Sequence, residues 1–248
     1  MLGYILYMRD PGTGLYSEVY NGENGYPDVN TFMLMKGVQA GNTYTFKVKG
    51  AYINGYTDES AESSIIACRA PSGIEAPSFV SGTSAGMTLA WKQPSDNGGC
   101  SIRGFRLYVN DGVGGTTFTQ IDASAVNDKP ELTQHYTTAL PGLVAGNTYL
   151  FKIEAYNDVD STLSPSAGFI LADVPGTPSV APYGDYSVIT TDKIKIDMNA
   201  ITDDGDSPIR SYSLEIDDGK GGAMRAMYGI ETSSLSLTYT FTQGVERG

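Results

Sequence analysis

The chain has 248 residues, 40% hydrophobic and 18% charged, enough apolar side chain for a packed core and too little charge for a disordered tail. Its 28 acidic against 16 basic residues give a formal charge of -12, which opposes a phosphate backbone, so no nucleic-acid partner is expected. The 30 Gly, 17 Tyr and 12 Pro favour strands joined by tight turns, with almost no helix, and the longest apolar runs, 64–68 and 169–172, fall far short of the ~18 residues that would indicate a membrane span.

The N-terminal stretch Met1 to Asp10 has no basic segment and no small-residue cleavage site, so it does not read as a signal peptide. Further on, Gly37-Val38-Gln39-Ala40-Gly41-Asn42-Thr43-Tyr44-Thr45-Phe46-Lys47-Val48 recurs about one hundred residues later as Gly142-Leu143-Val144-Ala145-Gly146-Asn147-Thr148-Tyr149-Leu150-Phe151-Lys152-Ile153. Between them, Met87, Leu89 and Trp91 alternate with other residues, as do Phe105, Leu107 and Val109, which is the period of a strand with one buried face. A turn cluster, Asn110 to Gly115, follows. Later, Tyr149, Phe151, Ile153 and Ala155 point one way, and Leu150, Lys152 and Glu154 the other. The loop Pro94 to Phe105 returns as Ile201 to Tyr212, after a third alternating set, Ile194, Ile196 and Met198, and before a second glycine-rich turn, Asp217 to Gly222. Short alternating strands at this density indicate β-sandwiches.

Pro77, Trp91, the loop Pro94 to Ile102, Phe105, Tyr108, Gly142 to Tyr149 and Ala155-Tyr156-Asn157 together resemble the fibronectin type III family. The resemblance implies an all-β chain of immunoglobulin-like sandwiches arranged head to tail as a rod. It also implies that Tyr44 and Tyr149 occupy the family's tyrosine corner, with Trp91 in the core. On this reading residues 1–70 carry strands C to G of one unit, residues 71–174 a complete unit, and residues 175–248 strands A to E of a third. The chain is then expected to be a window from a longer array, because a sandwich lacking two strands would expose a large apolar face.

The resemblance also places Cys68 at the end of strand G and Cys100 in the next unit's B to C loop, at one junction. The aligned positions of the following junction are Ala172 and Ser207, so both cysteines are missing there together. Paired presence and paired absence point to a disulfide between units. In the chain-entropy treatment it stabilises by roughly 3–4 kcal/mol, and it implies an oxidising compartment. Asp203, Asp204 and Asp206 group three carboxylates in the corresponding loop, and Asp173 in the preceding linker would be the further ligand if calcium bound there. The same residues also suit a turn, with no ion at all.

His135, the one histidine, reads as a surface residue of strand E, with no nucleophile or acid partner at catalytic spacing. The glycine-rich stretches 112–115 and 219–222 lie between strands and read as hairpins, not phosphate loops. Tyr108 and Tyr212, with Tyr44 and Tyr149, read as inward or sheet-facing core. None of the asparagines begins an Asn-x-Ser/Thr sequon.

The functional expectation is a non-catalytic structural or adhesive module, without cofactor or resident metal and with a small-molecule ligand disfavoured. It would belong to a surface or extracellular rod that contacts proteins or assembles into a filament or surface layer. Two alternatives stand beside it: an intracellular cytoskeletal or ciliary scaffold of the same repeats, and an accessory spacer of a carbohydrate-active enzyme, which would show outward-facing aromatic strips.

Overall fold

Residues 1–23, 30–34, 37–142, 144–188, 190, 193–217, 219–228 and 235–241 are described by a computed structural model of the chain. Leu143 of the recurring segment, Asp218 of the second glycine-rich turn and residues 244–248 lie outside them.

The N-terminal strands β1 (Gly3–Arg9), β2 (Tyr16–Asn21), β3 (Thr43–Tyr52), β4 (Gly55–Tyr56) and β5 (Ser63–Ile66) form one sheet, in which β1 lies between β2 and β3 and both β4 and β5 pair with β3. All of these pairings are antiparallel.

The middle of the chain closes into a sandwich. One sheet holds β6 (Ser78–Thr83), β7 (Gly86–Ala90) and β10 (Gln134–Thr137), with β7 central. The other holds β8 (Gly104–Val109), β9 (Thr119–Ile121), β11 (Thr148–Tyr156), β12 (Ser161–Leu163) and β13 (Ala167–Ile170), with β11 pairing to β8, β12 and β13. The period-two reading holds here: Phe105, Leu107, Val109, Phe151, Ile153 and Ala155 are fully buried from one sheet, against Met87 and Leu89 from the other. Trp91 sits one residue past the end of β7, is buried, and lies with its ring centroid 5.9 Å from that of Phe105. A four-residue helix, α1 (Ala123–Val126), interrupts the otherwise all-β chain and buries Val126 in the same core.

The C-terminal strands β14 (Tyr183–Gly184), β15 (Ile194–Asp197) and β18 (Thr238–Phe241) make a three-stranded sheet, and β16 (Leu214–Ile216) pairs with β17 (Arg225–Tyr228). Ile194, Ile196 and Met198 are half-buried here, where their counterparts Met87, Leu89 and Trp91 are buried.

Two tyrosine expectations change. Tyr108 alternates with Leu107 and therefore projects from the outer face of its sheet, where its hydroxyl donates to Glu154 Oε2 at 2.9 Å. Tyr212 is half-buried, and its hydroxyl accepts from the Ile201 N–H at 3.3 Å. His135 does lie on a strand, β10, but is half-buried, with Nε2 3.0 Å from Asp122 Oδ2.

Candidate functional site

Tyr44, Tyr149, the two cysteines and the candidate calcium carboxylates converge on two joints, one where the N-terminal sheet meets the middle sandwich and one where the sandwich meets the C-terminal strands, whereas Trp91 lies in the sandwich core and His135 on β10. Each joint begins with a tyrosine. The Tyr149 hydroxyl accepts from the Val144 N–H at 3.0 Å and donates to the Pro141 carbonyl at 3.2 Å. That of Tyr44 accepts from the Gln39 N–H at 2.8 Å and donates to the Gly37 carbonyl at 3.3 Å. In each case one side-chain hydroxyl ties down the loop before its strand, accepting from the N–H five residues back and donating to a carbonyl seven residues back for Tyr44 and eight for Tyr149.

Each fixed loop then holds the strand that leaves its sheet. At the first joint the Gly41 N–H donates to the Ala67 carbonyl at 2.7 Å and the Arg69 N–H to the Gly98 carbonyl at 2.9 Å. The second joint repeats the pattern: Gly146 N–H to Leu171 carbonyl at 2.8 Å and Asp173 N–H to Gly205 carbonyl at 2.9 Å. The receiving loops are alike too. Asp96 Oδ1 accepts from the Gly98 N–H at 2.8 Å, and Asp203 Oδ1 from the Gly205 N–H at 3.1 Å. Gly98 has a φ of 74°, and a Cβ there would run into the Arg69 and Ala70 carbonyls; Gly205, with a φ of 67°, faces the Asp173 carbonyl in the same way.

Side chains then make the joints different. At the first, Cys68 and Cys100 form a disulfide with their Cα atoms 5.6 Å apart. The Arg69 guanidinium pairs with the Asp96 carboxylate, which also accepts from Ser72 Oγ at 3.2 Å. The Gly98 N–H and then the Arg69 charge hold Asp96 below the usual carboxylate range. Buried Asn157 completes the joint from the β11–β12 loop: its amide donates to the Arg69 carbonyl at 2.7 Å and to the Asn97 carbonyl at 3.0 Å.

At the second joint, Asp173 stands where Arg69 stands and Asp203 where Asp96 stands, so an ion pair is replaced by two like charges. The Asp173 carboxylate turns away to Ser84, accepting from its N–H at 2.9 Å, and the Ser84 side chain first and then this N–H hold its pKa below the ordinary value. Asp204 Oδ1 accepts from the Asp206 N–H at 3.1 Å. Three of the four carboxylates considered for calcium, those of Asp173, Asp203 and Asp204, thus each accept from a backbone N–H, and among the described residues no group of three acidic, His or Cys side chains is arranged to hold a metal ion.

The outer face of the β8–β11 sheet carries aromatic rings, each tied to a charged neighbour. Lys152 Nζ lies 4.3 Å from the Phe118 ring centroid and the Arg106 guanidinium 4.1 Å from that of Tyr156. Glu154, between them, accepts from Ser161 Oγ at 2.6 Å, Arg106 at 2.9 Å and Tyr108 at 2.9 Å. Partial burial pushes the Glu154 pKa up, but these three donors outweigh it and hold the carboxyl below its ordinary value.

Residues 69–169 match the family model described as fibronectin type III domain. This stretch is a fibronectin type III domain. Myomesin-2 from Homo sapiens is 26% identical over 247 residues, covering 96% of this chain, so the likeness extends to both sides of the domain; the chain spans 16% of that relative's length. The repeated joints carry the same backbone clasp to both sides of that domain. Among solved structures, the FN1–FN3 domains of chicken CNTN1 align with a TM-score of 0.46 at 14% identity, over 96% of this chain and 78% of that one. Domains from titin align with a TM-score of 0.46 at 13% identity, over 67% and 54%.

The pairing of Asn157 with Arg69, and the turn of Asp173 toward Ser84, carry no signature in the sequence. The tyrosines and the two cysteines do, because they recur or vanish in register with the repeat.

Proposed function

We propose that this chain is a non-catalytic spacer and protein-interaction segment, built of three fibronectin type III units at residues 1–70, 71–174 and 175–248, in a rod at the cell surface or outside the cell. The observation that carries this reading is the repetition of one backbone clasp, Arg69 to Gly98 and Asp173 to Gly205, at 2.9 Å in both joints. Two joints built alike give successive units the same relation, and repeated addition of one relation generates an extended array. Protein partners are assigned to the loops and sheet edges, whose backbone groups are open to pairing. The ion- and hydrogen-bond-tied rings of the β8–β11 face argue against a sugar-stacking platform.

Small-angle scattering of the full chain tests the rod: an elongated particle with a cross-section about one sandwich wide supports it, and a compact particle overturns it. The compartment is assigned from the Cys68–Cys100 bond, since such bonds persist in oxidising surroundings. Non-reducing peptide mapping of native material, with thiols blocked at lysis, tests that assignment. Two free thiols would move the chain to an intracellular scaffold of the same repeats.

A further inference from the structure

We propose that the Cys68–Cys100 bond reroutes tension around the first hairpin of the middle domain, so that β6 and β7 carry no load when the chain is pulled from its ends. This deepens the rod reading and rests on it for the direction of pull.

The bond closes a loop with a sequence separation of 32, which contains all of β6 and β7 together with the core residues Ile74, Met87, Leu89 and Trp91. A force arriving along β5 reaches Cys68 and has two routes onward. One is the slack loop through Arg69, the other a covalent link directly to Cys100. The covalent link is shorter and takes the load, and the loop cannot be drawn out until that link is cut.

Tension then enters the domain four residues before β8. It leaves at Leu171, after β13. Both β8 and β13 run antiparallel to β11 and hence parallel to each other. Force on the leading end of β8 and the trailing end of β13 slides the two strands in opposite directions along β11. The ladder hydrogen bonds lie across the strands, so they are loaded together in shear rather than opened one at a time. Without the bond, force enters at Arg69 and meets first its non-covalent contacts with Gly98, Asp96 and Asn157, then the Ser72–Asp96 bridge and β6, an edge strand with a bulge between Phe79 and Ser81.

A dithiol reductant removes the shield. One of its thiolates attacks a bridge sulfur, forming a mixed disulfide and releasing the other cysteine as thiolate; its second thiolate then attacks the reductant's own sulfur in that mixed disulfide and releases the remaining cysteine. Cys68 and Cys100 are left as thiols and the reductant as a cyclic disulfide, a two-electron exchange.

The test is single-molecule force spectroscopy on the full chain, tethered at both ends, with and without dithiothreitol. The unfolding step of the middle domain is expected to lengthen on reduction by about 100–110 Å, the released separation of 32 at ~3.3–3.6 Å per residue less the 5.6 Å already spanned between the two Cα atoms. A Cys68→Ser/Cys100→Ser variant is expected to give the long step under both conditions, which separates loss of the bond from other effects of the reductant. Equal steps for the unsubstituted chain with and without reductant overturn the proposal, as do two free thiols in the oxidised preparation. Pulling on the ends imposes the load whatever the chain's use, so failure here leaves the rod reading to the scattering test.

Discussion

Asn157 and Arg69 are 88 positions apart in the chain, and the Asn157 amide donates to the Arg69 carbonyl at 2.7 Å. With its second hydrogen on the Asn97 carbonyl and its oxygen accepting from Val159 and Asp160, the side chain is fully satisfied in a buried position. One residue thus ties the linker and two loops of the fibronectin type III domain together, adding a second fastening to the disulfide at the same joint.

Asn157→Ala is expected to strip donors from two carbonyls and destabilise the middle domain by about 1–3 kcal/mol. It should also broaden the distance between spin labels placed on either side of the first joint. Urea unfolding reads the first effect and pulsed electron resonance the second. An unchanged distance distribution in the reduced protein would remove Asn157 from the joint.

The fold was largely legible in the sequence, and the joint only partly. Period-two alternation placed Phe105, Leu107, Tyr149 and Phe151 in the core because burial of one sheet face leaves that imprint on residue type. The cysteines were legible through the repeat. Asn157 was not, because an amide bonding to backbone carbonyls is indifferent to the identity of its partners. The acidic cluster of Asp173 and Asp203 was legible, but not that the Ser84 and Gly205 N–H groups would take up their oxygens. Tyr108 was misplaced because aromaticity was weighed above alternation; its hydroxyl is held on the outer face by Glu154.

Equivalence of the joints predicts that a second bridge can be installed. Ala172 and Ser207 occupy the positions of Cys68 and Cys100, and the flanking backbone hydrogen bonds match at 2.9 Å. Ala172→Cys/Ser207→Cys is expected to form a disulfide in air, identified by a cross-linked peptide that disappears on reduction. If both new thiols remain free, the clasp does not set the same geometry at both joints.

Tyr149→Phe removes a hydroxyl that serves the Val144 N–H and the Pro141 carbonyl, and leaves the ring buried. The expected cost is about 1–3 kcal/mol from the unpaired backbone groups, read as a lower urea midpoint with an unchanged slope. A neutral outcome would mean that solvent takes over both hydrogen bonds and that the loop does not depend on the corner.

Acid should weaken the middle domain through Glu154. Its folded pKa lies below its ordinary value, since the Ser161, Arg106 and Tyr108 donors together outweigh the opposing effect of burial. The unfolded chain therefore binds the proton more readily. The stabilisation is fully present above the unfolded glutamate pKa of about 4.3 and is lost as pH falls through the folded value. Between pH 6 and pH 3 the melting temperature of the unsubstituted chain is expected to fall. Glu154→Gln should start lower, because the charge facing Arg106 is gone, and should fall less over the same interval. Parallel pH profiles for the two proteins would show that Glu154 titrates alike in the folded and unfolded chains, and the three donors would then contribute nothing to acid stability.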